Sequence, residues 1–218
     1  SEIEINMTEN IVQRKFPQLD PLQRRKLAEE TMLKIKNDPN HVSSFQQSQI
    51  NSNYDRFGIC ALTPYKNNLL MWAHYAKDHS GFCFGIDTQK LLELQHKLIL
   101  SNNMLDLHEV AYSEEMPKIN LFEFMLSPDG GQELMRMVTT KSIDWCYEHE
   151  YRLIYWNHPN TSLAIGSDTI TEIILGCRIK PEDKLAILSI IRQSNYKPKV
   201  FQAVKHNKRF ALEFQQII

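Results

Sequence analysis

Tyr147-Glu148-His149-Glu150-Tyr151-Arg152-Leu153-Ile154-Tyr155-Trp156 is the stretch around which the chain is read. Aromatic and branched residues dominate it, as in a strand. Alternation puts Glu148, Glu150, Arg152, Ile154 and Trp156 on one face and Tyr147, His149, Tyr151, Leu153 and Tyr155 on the other. Acids two apart on one face stand roughly 6.5 to 7 Å from each other, close enough to address one ligand. Arg152 can neutralise the inner acid, Glu150. Two readings follow. In one, an ion ladder, Arg152 satisfies Glu150 and Glu148 stays in water. In the other, a carboxylate held among Trp145, Tyr147 and Tyr151 stabilises a sugar cation or binds ribose hydroxyls, while the rings stack on a base or nicotinamide.

Upstream, residues 1–20 are polar and without pattern, and Asp20-Pro21 opens a helix through about Lys36, with Asp20 as N-cap. The polar run Ser43 to Asn53 is a surface excursion or a polar helix. Phe57 to Thr63 is nearly continuous in apolar residues, the pattern of a strand buried on both faces. Leu69 to Asp78 fits a helix capped by Asn67 or Asn68, with Leu69, Trp72, Ala73 and Ala76 as its buried stripe. On its adjoining face His74 and Asp78 are four apart and able to bond. Phe82, Phe84 and Ile86 form one side of the next strand, and the small Cys83 and Gly85 the other, where something packs close. A helix follows from Lys90 to Leu100, a short strand from His108 to Tyr112, and a helix from Ser127 toward Trp145.

Downstream, Ile170 to Leu175 is a buried strand closed by Gly176, and Pro181 starts a helix with Glu182 and Asp183 in its first turn. Strands at Lys199 to Val204 and Arg209 to Gln215 form a terminal hairpin through His206-Asn207-Lys208. The Lys and Arg residues between Lys197 and Arg209 can contact phosphates, or form the solvated face of that hairpin. Strand runs with interspersed helices predict an α+β fold: one domain, with a mixed, mostly antiparallel sheet and flanking helices. Residues 1–56 are assigned to an N-terminal segment of that domain and 57–218 to its core. The sequence opens at Ser1, which suggests that strands preceding it are absent.

The 218 residues carry a formal charge of -1 with 23% charged residues, which argues against a general nucleic-acid or membrane binder and leaves room for a local patch. No apolar run is long enough to cross a bilayer. Cys60, Cys83, Cys146 and Cys177 are scattered and read as reduced core thiols of a cytoplasmic protein. His74, His79 and Cys83 are loosely spaced like metal ligands, but a helix turns into a strand between them, so no metal is expected. Phosphate-loop, dinucleotide and nucleophile-elbow motifs are missing from the sequence.

Five segments together resemble the bacterial domain-of-unknown-function family twenty-nine seventy-one: Phe57-Gly-Ile-Cys-Ala-Leu-Thr63, Asn67 to Ala76 with Met-Trp-x-His-Tyr, His79 to Phe84, Lys141 with Trp145-x-Tyr-Glu-x-Glu-x-Arg152, and Ile173-Ile-Leu-Gly176. That family supplies no reaction. The late Glu-x-Glu strand is also similar to mono-ADP-ribosyltransferases, and this resemblance implies NAD as cofactor. In such a site Glu150, and second to it Glu148, would bind the nicotinamide-ribose hydroxyl and stabilise the oxocarbenium ion, with Tyr75 or Tyr147 stacking on nicotinamide. The first-strand Arg or His of those enzymes has no counterpart here, and Thr63 is a poor substitute for their Ser-Thr-Ser element. The leading expectation is an NAD-dependent ADP-ribosyltransferase-like toxin, effector or phage-defence component, acting on a protein or nucleic-acid acceptor. The alternative is a non-catalytic module that binds a nucleotide-like ligand or a protein. Under either, Trp72, His74, Tyr75, Tyr147 and Arg152 are the candidate ligand-binding residues. Trp72, His74 and Tyr75 should then lie near Glu148 to Arg152.

Overall fold

The computed structural model describes residues 2–37, 56–117, 131–195 and 197–218. Along the chain the elements are α1 (Glu2–Lys15), α2 (Pro21–Asn37), β1 (Phe57–Leu62), α3 (Leu69–Tyr75), β2 (Phe82–Ile86), α4 (Thr88–Leu100), β3 (Leu105–Glu109) and β4 (Ala111–Ser113). Then come α5 (Gly131–Val138), β5 (Thr140–Ser142), a 3₁₀ helix (Ile143–Glu148), β6 (Tyr151–Trp156), β7 (Ile170–Leu175), α6 (Pro181–Gln193), β8 (Lys199–Lys205) and β9 (Leu212–Gln216). Packing divides them into two units, Ser1–Phe57 with Ser113–Ser142, and Gly58–Tyr112 with Ile143–Ile218. The expected excursion from Ser43 to Asn53 and the helix start at Ser127 lie outside the described residues.

In the first unit, α1 occupies a stretch that reads as patternless. Its buried residues are Thr8, Ile11 and Val12. The apolar stripe is interrupted by a threonine whose hydroxyl donates to the Glu4 carbonyl at 2.8 Å, so a polar residue sits inside at little cost and hides the period. α2 begins at the expected place through a reciprocal cap: the Gln23 N–H donates to Asp20 Oδ1 at 2.9 Å, and the Asp20 N–H to Gln23 Oε1 at 3.1 Å. The two helices pack together, and Arg25 reaches from α2 to Asn6, Glu2 and Glu9 on α1. α5 stops at Val138, short of the expected run toward Trp145.

The second unit holds two sheets, ordered β1-β6-β3 and β2-β7-β8-β9. β7 and β8 are parallel; β2 with β7, β8 with β9 and β3 with β6 are antiparallel. The fold class is thus α+β with mixed and antiparallel sheets, as the sequence predicts. β7 is the strand that organises the core. Ile173 and Leu175 cluster with Leu188 and Ile191 of α6 and Val200 of β8, while Ile174 clusters with Trp72, Ala76, Ala203 and Leu212 on the α3 side. Gly85 lies opposite Glu172 in register, and a side chain there would meet Glu172 Cβ at 2.9 Å, which is the close packing expected of Cys83 and Gly85.

Several expectations are corrected. β1 is an edge strand and mostly exposed, with Ile59 44% exposed; an apolar run alone does not distinguish an edge from a centre. The one strand expected from His108 to Tyr112 is two, the end of β3 (Leu105–Glu109) and most of β4 (Ala111–Ser113), separated at Val110. The last strand begins at Leu212, leaving Phe210 in the turn. Cys60 and Cys146 are exposed instead of core residues, and all four cysteines are free.

α3 starts on Asn68, whose side chain accepts from the Leu70 and Met71 amides at 3.0 and 3.3 Å. It ends at Tyr75, three residues before the expected Asp78. Lys77, Asp78 and His79 adopt left-handed φ of 49, 53 and 64°, and the amides of Asp78 and His79 take the carbonyls of Ala73 and Trp72. This turns Asp78 away from His74 and onto Arg178 at 2.6 Å. The turn is strapped to the end of β7, where the Gly176 amide donates to the Gly81 carbonyl and the Arg178 amide to the His79 carbonyl. A Cβ on Gly176 would overlap the His79 carbonyl oxygen and lie 2.7 Å from that of Gly81. Gly176→Ala is therefore expected to lower stability by more than about 3 kcal/mol, read as a shift of the urea midpoint at unchanged slope.

Candidate functional site

The stretch Tyr147 to Trp156 is not one strand. Residues up to Glu148 close a 3₁₀ helix, His149 turns with φ of 45°, and β6 starts at Tyr151. Side chains from elsewhere in the unit supply the backbone partners that a sheet ladder would have given. Asn68 Nδ2 donates to the Tyr147 carbonyl, and Thr63 Oγ1 to the Glu148 carbonyl at 2.8 Å. The Glu150 amide donates to Tyr112 Oη at 2.8 Å, and the Val110 amide to the Glu150 carbonyl at 2.9 Å. The shared strand face expected for Glu148 and Glu150 is therefore not formed.

Both acids are buried, Glu148 to 2% and Glu150 to 4% exposure, which overturns the reading in which Glu148 stays in water. Their partners differ. Arg152 binds Glu150 with two nitrogens, Nε at 2.7 Å from Oε1 and a terminal nitrogen at 3.4 Å from Oε2, so the ladder half of the expectation is present. Tyr75 Oη donates to Glu148 Oε1 at 2.7 Å, a charge-assisted bond from a neutral donor. Tyr75 is itself 59% exposed, so its phenol joins solvent to the buried acid.

Rings surround this bond. The His74 ring centroid lies 6.2 Å from those of both Trp145 and Tyr147, and 6.3 Å from that of Tyr75. Trp145 and Tyr147 are 6.0 Å apart, and His149 meets Tyr65 edge-on at 4.8 Å. His74, Tyr75, Tyr147 and Glu148 are thus brought together, while Glu150 bonds with Arg152, Tyr112 and Val110. Trp72 points the other way, into the α3-side core at 4% exposure, with its indole N–H on the Lys66 carbonyl at 2.7 Å. Sequence reading passed over Asn68 except as a cap, and over Tyr112 altogether, because their roles are backbone contacts across 79 and 38 residues.

Among the described residues no three His, Cys, Asp or Glu side chains are grouped to hold a metal ion. Burial, and second the charge of Glu172, push the Cys83 thiol up to about 11 against the opposing pull of Lys66, so it is a thiol at neutral pH and a poor nucleophile. No helix among the described residues is long and apolar enough to cross a membrane.

Compared with known families, residues 71–153 match the model of a protein of unknown function, DUF2971. The match begins at the Met-Trp-x-His-Tyr motif and ends just after Arg152, so the resemblance read from these motifs is borne out over the segment that carries Tyr75, both acids and Arg152. No curated protein and no solved structure matches the chain.

The pairing of Arg152 with Glu150 has a consequence for stability. Arg152→Ala would take the bidentate cation from a buried carboxylate, and an expected loss of about 3 to 5 kcal/mol should appear in chemical denaturation. Arg152→Ala with Glu150→Gln together should recover part of that loss.

Proposed function

We propose that the chain uses the turn around Glu148 to bind a nucleotide-like ligand, that the ligand is NAD, and that the chemistry is ADP-ribosyl transfer. The observation that carries the reading is the buried Glu148 carboxylate joined to the half-exposed Tyr75 phenol among His74, Trp145 and Tyr147. A ribose hydroxyl can replace the phenol on Glu148 like for like, donor for donor. The rings offer faces for a planar, positively charged nicotinamide.

In the reaction the bond between ribose C1′ and the nicotinamide nitrogen breaks, and its electron pair leaves with nicotinamide. Positive charge develops at C1′, where a carboxylate in a water-poor site stabilises it. The acceptor nucleophile then bonds to C1′ and releases a proton. Glu148 is the acid assigned to this role. Glu150, first choice from the sequence, is held by Arg152 and acts as framework for the turn. The acceptor is a protein or nucleic-acid group, and a toxin, effector or phage-defence setting suits the chemistry. The bidentate ion pair and the inward Trp72 also suit the second reading, a module that binds the ligand without consuming it.

Incubation with labelled NAD and a bacterial lysate, following nicotinamide release and label transfer, separates the readings. Glu148→Gln is expected to lower release on the order of 100-fold or more while unfolding at the wild-type midpoint. NAD bound and left intact by the wild type would establish the binding module, and absence of NAD binding would overturn both.

A further inference from the structure

The turn between β8 and β9 is built to present a ring. His206 Nδ1 accepts the amides of Lys208 and Arg209 at 3.0 and 3.1 Å, and the His206 amide donates to the Ala211 carbonyl at 3.0 Å. The His206 Nε2 faces Glu213 at 3.5 Å. Arg209 Nε donates to His206 Nε2 at 3.1 Å, which ties the arginine to the same ring. On this fixed turn Phe210 is 101% exposed. Its ring gains nothing from folding, since it is as wet in the native chain as in the unfolded one.

A single exposed apolar residue is ordinary. Here it is joined by Lys205, Lys208 and Arg209, all exposed, none paired with a carboxylate among the described residues. The chain as a whole is near neutral at -1, so the charge here is local. One ring with polar neighbours Asn207, Lys208 and Arg209 buries too little to hold a lipid surface. An aromatic face flanked by cations is instead the pattern that stacks on an unpaired base and neutralises the phosphates beside it, worth about 1 to 3 kcal/mol per stacked base.

We propose that the β8–β9 turn is a docking point for single-stranded nucleic acid, with Phe210 stacking on a base and Lys205, Lys208 and Arg209 meeting the backbone. The proposal is independent of the NAD reading, because no residue of the turn belongs to the Glu148 site.

The test is fluorescence anisotropy of the full chain with a labelled single-stranded oligonucleotide, beside its duplex and vesicles rich in phosphatidylserine. Binding of the single strand at low salt is expected, weaker for the duplex, with Phe210→Ala reducing affinity about 5- to 100-fold and leaving the unfolding midpoint unchanged. Lys208→Ala should weaken binding and flatten the salt dependence. Equal affinity of wild type and Phe210→Ala, a preference for duplex, or binding to vesicles alone would overturn the proposal.

Discussion

Two carboxylates, Glu148 and Glu150, are withdrawn from water two positions apart, and the turn around them is arranged to make this tolerable. Removing an ion from water costs several kcal/mol even after relaxation. Each acid must therefore find fixed donors: Glu148 has Tyr75, 73 residues away on α3, and Glu150 has Arg152, two residues on in β6. Backbone groups of the same turn are held by Thr63, Asn68 and Tyr112. The local conformation, including the left-handed His149, exists because these side chains replace a sheet ladder.

α3 is the element that links this turn to the core. Trp72 and Ala76 face Ile174 and Ala203 in one hydrophobic cluster, while His74 and Tyr75 leave the helix toward the acids. Seven residues therefore carry a core face and a polar face. The helix is too short to be stable by itself, so its position depends on the Asn68 cap at one end and on the left-handed turn strapped to β7 at the other. Strain in that turn, of order 1 kcal/mol or more per residue, is offset by the carbonyls it satisfies at the end of α3 and the amides of Gly176 and Arg178 that it engages.

Much of this was legible in the sequence. Ile170 to Leu175 and the start of the Pro181 helix were readable to the residue, since period and punctuation agree there and the core lies on both faces of the strand. The proximity of Tyr75 and His74 to Glu148 followed from two motifs flanking one cleft. Legibility failed where a partner distant in sequence decided the conformation. Nothing in Tyr147 to Glu150 announces that Asn68, Thr63 and Tyr112 will take its backbone groups, so a β-prone composition was read as a strand. In α1 the failure was of another kind, since a threonine bonded within the helix broke the apolar period.

The two acids also differ in what could displace their partners. A guanidinium gripping a buried carboxylate with two nitrogens is a charged, geometrically matched pair, and a neutral ligand hydroxyl offered in its place would give up that pairing. The Tyr75 phenol is a neutral donor to Glu148 on an exposed ring. A ligand hydroxyl restores its bond to Glu148 with no change in charge, and the phenol swings into water at little loss. Exchange of that kind needs no rearrangement of the 3₁₀ turn or of β6. Under the proposed reading, the acid bonded to the exposed phenol is the one a ligand hydroxyl would meet, and the acid paired with Arg152 holds the turn.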